Sequence, residues 1–131
     1  MALEYIANED ATIGHGSGST ITGGAFTTSL AFYLSNKTKA GGKYIFKQAI
    51  AYSFTGGSAP GVSPGTVRTL VDQIIFASAI YTKDGGQVVT RENDTGTMNA
   101  VGDNPSPPPA TLPVTGPVEV ATAGQNKAKA E

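Results

Sequence analysis

The chain has no cysteine, no tryptophan and a single histidine in 131 residues. Without cysteine it forms neither disulfides nor thiolate metal sites, and one imidazole cannot supply the roughly four ligands of a tetrahedral zinc site. Any Ser-His-acid triad would have to be built on His15 alone. Charge is scarce too. Asp, Glu, Lys and Arg make up 15% of the residues, the formal net charge is -1 and the pI is near 5.8. No ten-residue segment gathers more than three lysines, so nucleic acid is not an expected partner. The first ten residues, Met-Ala-Leu-Glu-Tyr-Ile-Ala-Asn-Glu-Asp, lack the basic start and apolar core of a signal peptide, which predicts cytoplasmic synthesis without one. The longest apolar-leaning stretch, residues 74–81, falls far short of the roughly 20 residues of a spanning helix, so stable membrane insertion is not expected.

What is present is glycine, at 17 positions, with apolar residues at 39%. The length predicts one domain with a modest core. Four Gly-Gly pairs, at Gly23, Gly41, Gly56 and Gly85, read as turns between short strands, because glycine takes positive φ at little cost. Residues 43–54 give the best strand: Tyr44, Phe46, Ile50, Tyr52 and Phe54 share one parity, and small or polar residues take the other. Residues 26–34 are rich in aromatic and β-branched types and predict a second strand, with shorter ones at 19–22 and 87–91. Residues 66–82 fit a helical stripe through Val67, Leu70, Val71, Ile74 and Ile75, yet their β-branched density favours a strand closed by a hairpin turn at Asp84-Gly85-Gly86. The count is five to seven short strands with at most one helix.

Six of the eight prolines follow Asn104, and no aromatic residue does. This predicts a body over residues 1–104 and an extended Pro-rich tail over 105–131, polyproline at 107–109 and unable to order by itself.

The chemistry-bearing patterns are thin. His15 lies in Gly-His-Gly-Ser-Gly-Ser, whose spacing does not match Gly-x-Ser-x-Gly, and reads as an exposed or turn-packed residue, with metal ligation the low-ranked alternative. Glu92, Asp94 and Asp103 cluster around Gly96, but the glycine falls one place early for an EF-hand and the closing position is not Glu. An Asx-rich turn is the plainer reading. Residues 40–44 lack the spacing and hydroxyl of a phosphate loop. No nucleophile, base and acid can be assembled, so the chain is not read as an enzyme and no cofactor is expected. The apolar run at residues 74–81 is an aggregation hazard unless covered, which argues for a permanent assembly.

The stretch Ser-Phe-Thr-Gly-Gly-Ser-Ala-Pro-Gly-Val-Ser-Pro-Gly-Thr-Val at residues 53–67 is followed by Asp-Gly-Gly-Gln-Val-Val-Thr-Arg-Glu-Asn-Asp-Thr-Gly-Thr-Met-Asn at 84–99. Together they resemble the second half of PAAR-like proteins, with a Gly-Val-Ser-x-Gly turn before a strand and a Gly-x-x-Val-x-Arg hairpin after it. Gly-Ser-Thr-Ile-Thr-Gly-Gly at 18–24 is similar to the short strand and turn that recur in those tips. The resemblance covers residues 15–104. It implies a protein that caps the trimeric spike of type VI secretion systems and related phage-like contractile particles. One departure is plain: better-known members hold apical zinc with histidines and a cysteine, and His15 alone cannot.

The expectation is a mostly β, cone- or sandwich-like body with Gly-rich turns that caps a trimeric spike, helps pierce the target envelope and leaves the cell with its particle. Ile74, Ile75, Phe76, Ile80 and Tyr81 are the candidates for spike docking, and Arg91, Asp94 and Asn99 for holding the last hairpin's turn. The tail would reach cargo or a neighbouring baseplate protein. The alternative is a β-sandwich adhesin, fibre or capsid-decoration module.

Overall fold

The computed structural model describes residues 3–79, 82–106 and 110–130. The expected polyproline at 107–109 and the docking candidates Ile80 and Tyr81 lie outside them. The described residues contain no helix, so the mostly β body of short strands is borne out. The described residues form twelve strands: β1 Glu4–Tyr5, β2 Thr12–His15, β3 Thr22–Thr28, β4 Leu34–Ala40, β5 Lys43–Phe46 and β6 Ala49–Ser58 in the first half. Then come β7 Gln73–Phe76, β8 Lys83–Asp84, β9 Gln87–Val88, β10 Thr95–Asp103, β11 Thr111–Thr122 and β12 Lys129–Ala130.

Two three-stranded antiparallel sheets, β10-β11-β2 and β3-β6-β7, form the frame. Their inner faces share one core. Ile13, Met98, Val118 and Val120 come from the first sheet, and Tyr52, Phe54 and Ile75 from the second. The sheets also meet at both edges. On one side Val67 bridges Gly57 of β6 and Arg68 bridges Val101 of β10, so residues 67–68 join the sheets through main-chain pairing. On the other side β2 faces β3 across side-chain bonds: His15 reaches the Gly23 carbonyl and Thr28 Oγ1 donates to the Ala11 carbonyl. The result is a six-strand circuit around the core, with one seam held by side chains.

A smaller apolar cluster of Ile6, Ala40, Ile45, Ala79, Val89 and Ala130 is enclosed by the outlying strands. There β1 pairs β12, Glu4 opposite Ala130, which brings the two ends of the described chain together.

Several expectations are corrected. Residues 43–54 are two strands, because Ile45 enters the small cluster and Phe46 the large one, and the chain turns at Gln48 with φ 70°. The predicted parity survives the break: Phe46, Ile50, Tyr52 and Phe54 all lie in the main core, while Tyr44 is only half-buried. Residues 26–34 are likewise interrupted, by a loop at 29–33. The predicted strand at 19–22 contributes only Thr22, to β3, and that at 87–91 forms pairs only at 87–88 in β9 and through bridges of Val89 and Arg91. Gly41-Gly42 and Gly85-Gly86 do close hairpins, β4–β5 and β8–β9, whereas Gly23-Gly24 and Gly56-Gly57 lie inside β3 and β6. The reason is the Phe54 ring, which lies where a Cβ on Gly24 or Gly57 would have to be. Of the two readings of 66–82, strand holds, as β7 and the bridging residues Val67 and Arg68.

The largest correction concerns the tail. Thr111–Thr122 is the longest strand, paired with β10 along nine residues and with β2 from Val118 onward. Pro113 and Pro117 are tolerated because Val120 N donates towards the β10 side, at the Asp94 carbonyl. Residues of the opposite parity therefore aim their nitrogens away from β10: Pro113 has no β2 partner, and Pro117 lies at the margin of β2, where its carbonyl accepts from the Gly16 amide and only the return bond is lost. Val118 and Val120 are fully buried. The segment orders because the body supplies the apolar partner it lacks alone.

Candidate functional site

His15, the only imidazole, stands at the side-chain seam. Its Nε2 lies 2.8 Å from the Gly23 carbonyl and, facing an acceptor, carries the hydrogen. The ring meets Phe26 and Phe54 edge-on at 5.0 and 5.3 Å between centroids. Nδ1 is buried without a partner. Histidine in this position is a packed strand residue rather than a turn residue. Among the described residues no three His, Asp or Glu side chains come together as a metal centre.

The second cluster unites two of the three turn-holding candidates, Arg91 and Asp94, with Ser78, which sequence reasoning passed over. Asp94, 3% exposed, accepts from the Arg91 amide at 2.8 Å, the Ser78 amide at 3.3 Å and the Ser78 hydroxyl. The Arg91 guanidinium lies 3.8 Å from Asp94, donates to Ser78 Oγ at 3.0 Å and reaches the Ala130 carbonyl at 3.1 Å. The turn at 91–94 is thereby fastened both to the segment after β7 and to β12. Both Asp94 carboxylate oxygens are engaged by protein donors, Glu92 accepts from the Ala123 amide, and Asp103 pairs with Arg68 at 3.1 Å, so no calcium loop assembles. Asn99 is elsewhere: it lies on β10 opposite Thr115, exposed, and its amide donates to Gln73 Oε1 at 3.2 Å. Ser78 is detectable in the sequence only as the small polar break in an apolar run.

The third feature is apolar surface. Leu70 and Val71 are each 71% exposed and Phe76 is 66% exposed, while Ile75 between them in sequence is fully buried and Ile74 half-buried. Of the docking candidates among the described residues, Phe76 presents its side chain outward; Ile75 is withdrawn into the core by the alternation of β7. Beside β7 a shallow groove of about 200 Å³ is lined by Phe32, Tyr33, Ala51, Asp72 and Ile74. Leu70 and Val71 went unnoticed as surface because their spacing fits a buried stripe equally well.

Tyr52 completes the inventory: its ring is wholly buried, its hydroxyl has no partner, and burial raises its phenol pKa well above the usual value. No protein-family model matches the chain, and neither curated proteins nor solved structures return a match.

Proposed function

We propose that the chain is a structural tip protein that caps the trimeric spike of a contractile injection particle and helps it breach the target envelope, as the likeness to PAAR-like proteins implies. The observation that carries this reading is the exposed apolar edge formed by Leu70, Val71 and Phe76, the three most exposed large apolar side chains among the described residues. Isolated exposed apolar residues are ordinary; three on one stretch of chain running beside β6 invite a permanent partner. Tight hairpins and glycine inside strands suit a compact plug, and the side-chain clusters found serve packing and hydrogen bonding. A tip of this kind keeps its shape through the Asp94 cluster and the His15 seam in place of zinc.

The test is co-expression with the trimeric spike protein of the same particle, followed by native mass measurement. One copy of this chain per spike trimer is the expected result, and Leu70→Ser with Val71→Ser should release it. A stable monomer that ignores the spike would sink the proposal. A homotrimer without any spike would favour the fibre or decoration module.

A further inference from the structure

The sequence has no acidic residue between Asp10 and Asp72, and within that stretch Lys37, Lys39, Lys43 and Lys47 all fall on or beside the β4–β5 hairpin. Lys43 is paired with Asp10 at 3.1 Å. Lys37 and Lys39 are exposed and meet no carboxylate among the described residues; Lys39 Nζ rests 4.8 Å above the Tyr44 ring. The loop at 29–33 leads into this hairpin and turns Leu30 and Phe32 outward, 50% and 53% exposed. Its conformation is held on purpose. Tyr33 has φ 64°, a region that bulky residues enter only under constraint, and the Ser29 amide bonds the Ala51 carbonyl while the Lys47 amide bonds that of Tyr33, each at 2.8 Å.

We propose that this loop and hairpin form a peripheral binding surface for anionic lipid headgroups. Exposed lysines on the hairpin, with a projecting leucine and phenylalanine on the loop that leads into it, match an interface that is negative outside and apolar just beneath. Single-stranded nucleic acid fits less well. Base stacking needs open aromatic faces along a cationic groove, and here the Tyr44 face is occupied by Lys39 and no arginine lies on the hairpin. The proposal rests on this surface alone and does not depend on spike docking.

The experiment is co-sedimentation of the isolated full chain with vesicles of phosphatidylcholine, with and without phosphatidylglycerol, at low and raised salt. Pelleting only with the anionic vesicles, and less at raised salt, is expected. Lys37→Gln with Lys39→Gln should weaken partitioning about thirty-fold, equivalent to about 1 kcal/mol for each lysine. Lys37→Arg with Lys39→Arg should retain binding, and Phe32→Ser should reduce it at unchanged charge. All three positions are exposed, and unchanged melting temperatures would show that the variants fold. Equal pelleting with neutral vesicles, none with anionic ones, or full binding by the glutamine variant would overturn the proposal. So would salt-sensitive binding of an oligonucleotide by a protein that leaves the vesicles in solution. Because no spike is present, vesicle binding and spike capping succeed or fail separately.

Discussion

The Nε2 of His15 on β2 donates to the carbonyl of Gly23 on β3 across 2.8 Å, joining two strands whose backbones form no ladder with one another. Thr28 Oγ1 to the Ala11 carbonyl is the second stitch along this seam, at 3.1 Å. The opposite seam is closed by main-chain pairs through Val67 and Arg68. The circuit is therefore strong on one side and dependent on two side chains on the other, which places the one histidine in a structural role.

Replacing His15 by alanine should destabilise the fold by about 1–2 kcal/mol, the sum of one hydrogen bond and the lost edge contacts with Phe26 and Phe54. Urea unfolding measures it. A chelator should leave the wild-type melting temperature unchanged, since the imidazole is spent on Gly23; a fall on adding chelator would reveal a metal role.

Asp94 should matter more. Its carboxylate is nearly inaccessible and takes donors from Arg91 and Ser78, so Asp94→Ala leaves a guanidinium that is mostly buried without its counter-charge. Loss of about 3 kcal/mol is expected, with Asp94→Asn losing less because it retains an acceptor for the Arg91 amide. Equal unfolding midpoints for the wild type and Asp94→Ala would refute this account.

Local signals in the sequence carried the strand character and brought Arg91 and Asp94 together as turn residues, though with Asn99, which lies elsewhere on β10, and non-local ones were invisible. The alternation of Phe46, Ile50, Tyr52 and Phe54 is written in consecutive residues, so it was readable. The break at Gln48 was not, because it depends on Ile45 and Phe46 belonging to different clusters. Proline composition misled for residues 111–122: a nitrogen without hydrogen costs little when it faces away from β10, with no β2 partner at Pro113 and only a one-way bond from Gly16 at Pro117, and only the register tells which side that is. Val118 and Val120 look like isolated valines until Met98 and Ile13 are placed around them.

Two glycine substitutions separate conformational cost from crowding. Gly42, φ 85°, has nothing near the position of an added Cβ, so Gly42→Ala should cost about 1 kcal/mol from backbone strain alone. Gly24, φ 73°, would push its Cβ into the Phe54 ring, adding about 1–3 kcal/mol of overpacking. Thermal or urea unfolding of the pair should rank Gly24→Ala clearly below Gly42→Ala. Indistinguishable variants would mean that the ring moves aside freely.

The buried Tyr52 phenol makes a prediction about alkali. Burial raises its pKa in the folded state, so the folded protein holds this proton more tightly than the unfolded chain. Its contribution to stability is complete below about pH 10, the value for the unfolded group, and is lost progressively as pH rises beyond it. Tyr52→Phe should therefore flatten the alkaline fall in stability. Near neutrality it should be close to neutral or slightly stabilising, because the hydroxyl it removes has no hydrogen-bond partner. Denaturation midpoints of both proteins at neutral pH and above pH 10 provide the check.

The sharpest test of the architecture is truncation after Asn104. An independent tail would leave residues 1–104 folded, but β11 contributes the fully buried Val118 and Val120 to the core and packs with Met98 and Ile13, which its removal would uncover. Burial of each such side chain stabilises by about 1.5–3 kcal/mol, and whole domains have only about 5–15 kcal/mol in hand. Losing the two valines removes about 3–6 kcal/mol, and the lost cover over their neighbours and lost pairing of β10 add to that, enough to remove most of the margin. The truncated chain should therefore give an unfolded far-ultraviolet spectrum and a collapsed amide proton dispersion. In the intact protein, hydrogen exchange should rank the β11 amides that bond β10 among the slowest. Cleavage by a protease between residues 104 and 110 should leave the two fragments associated until denaturant is added. A folded 1–104 fragment, or rapid exchange throughout 111–122, would show that this strand is an accessory and that the circuit closes without it.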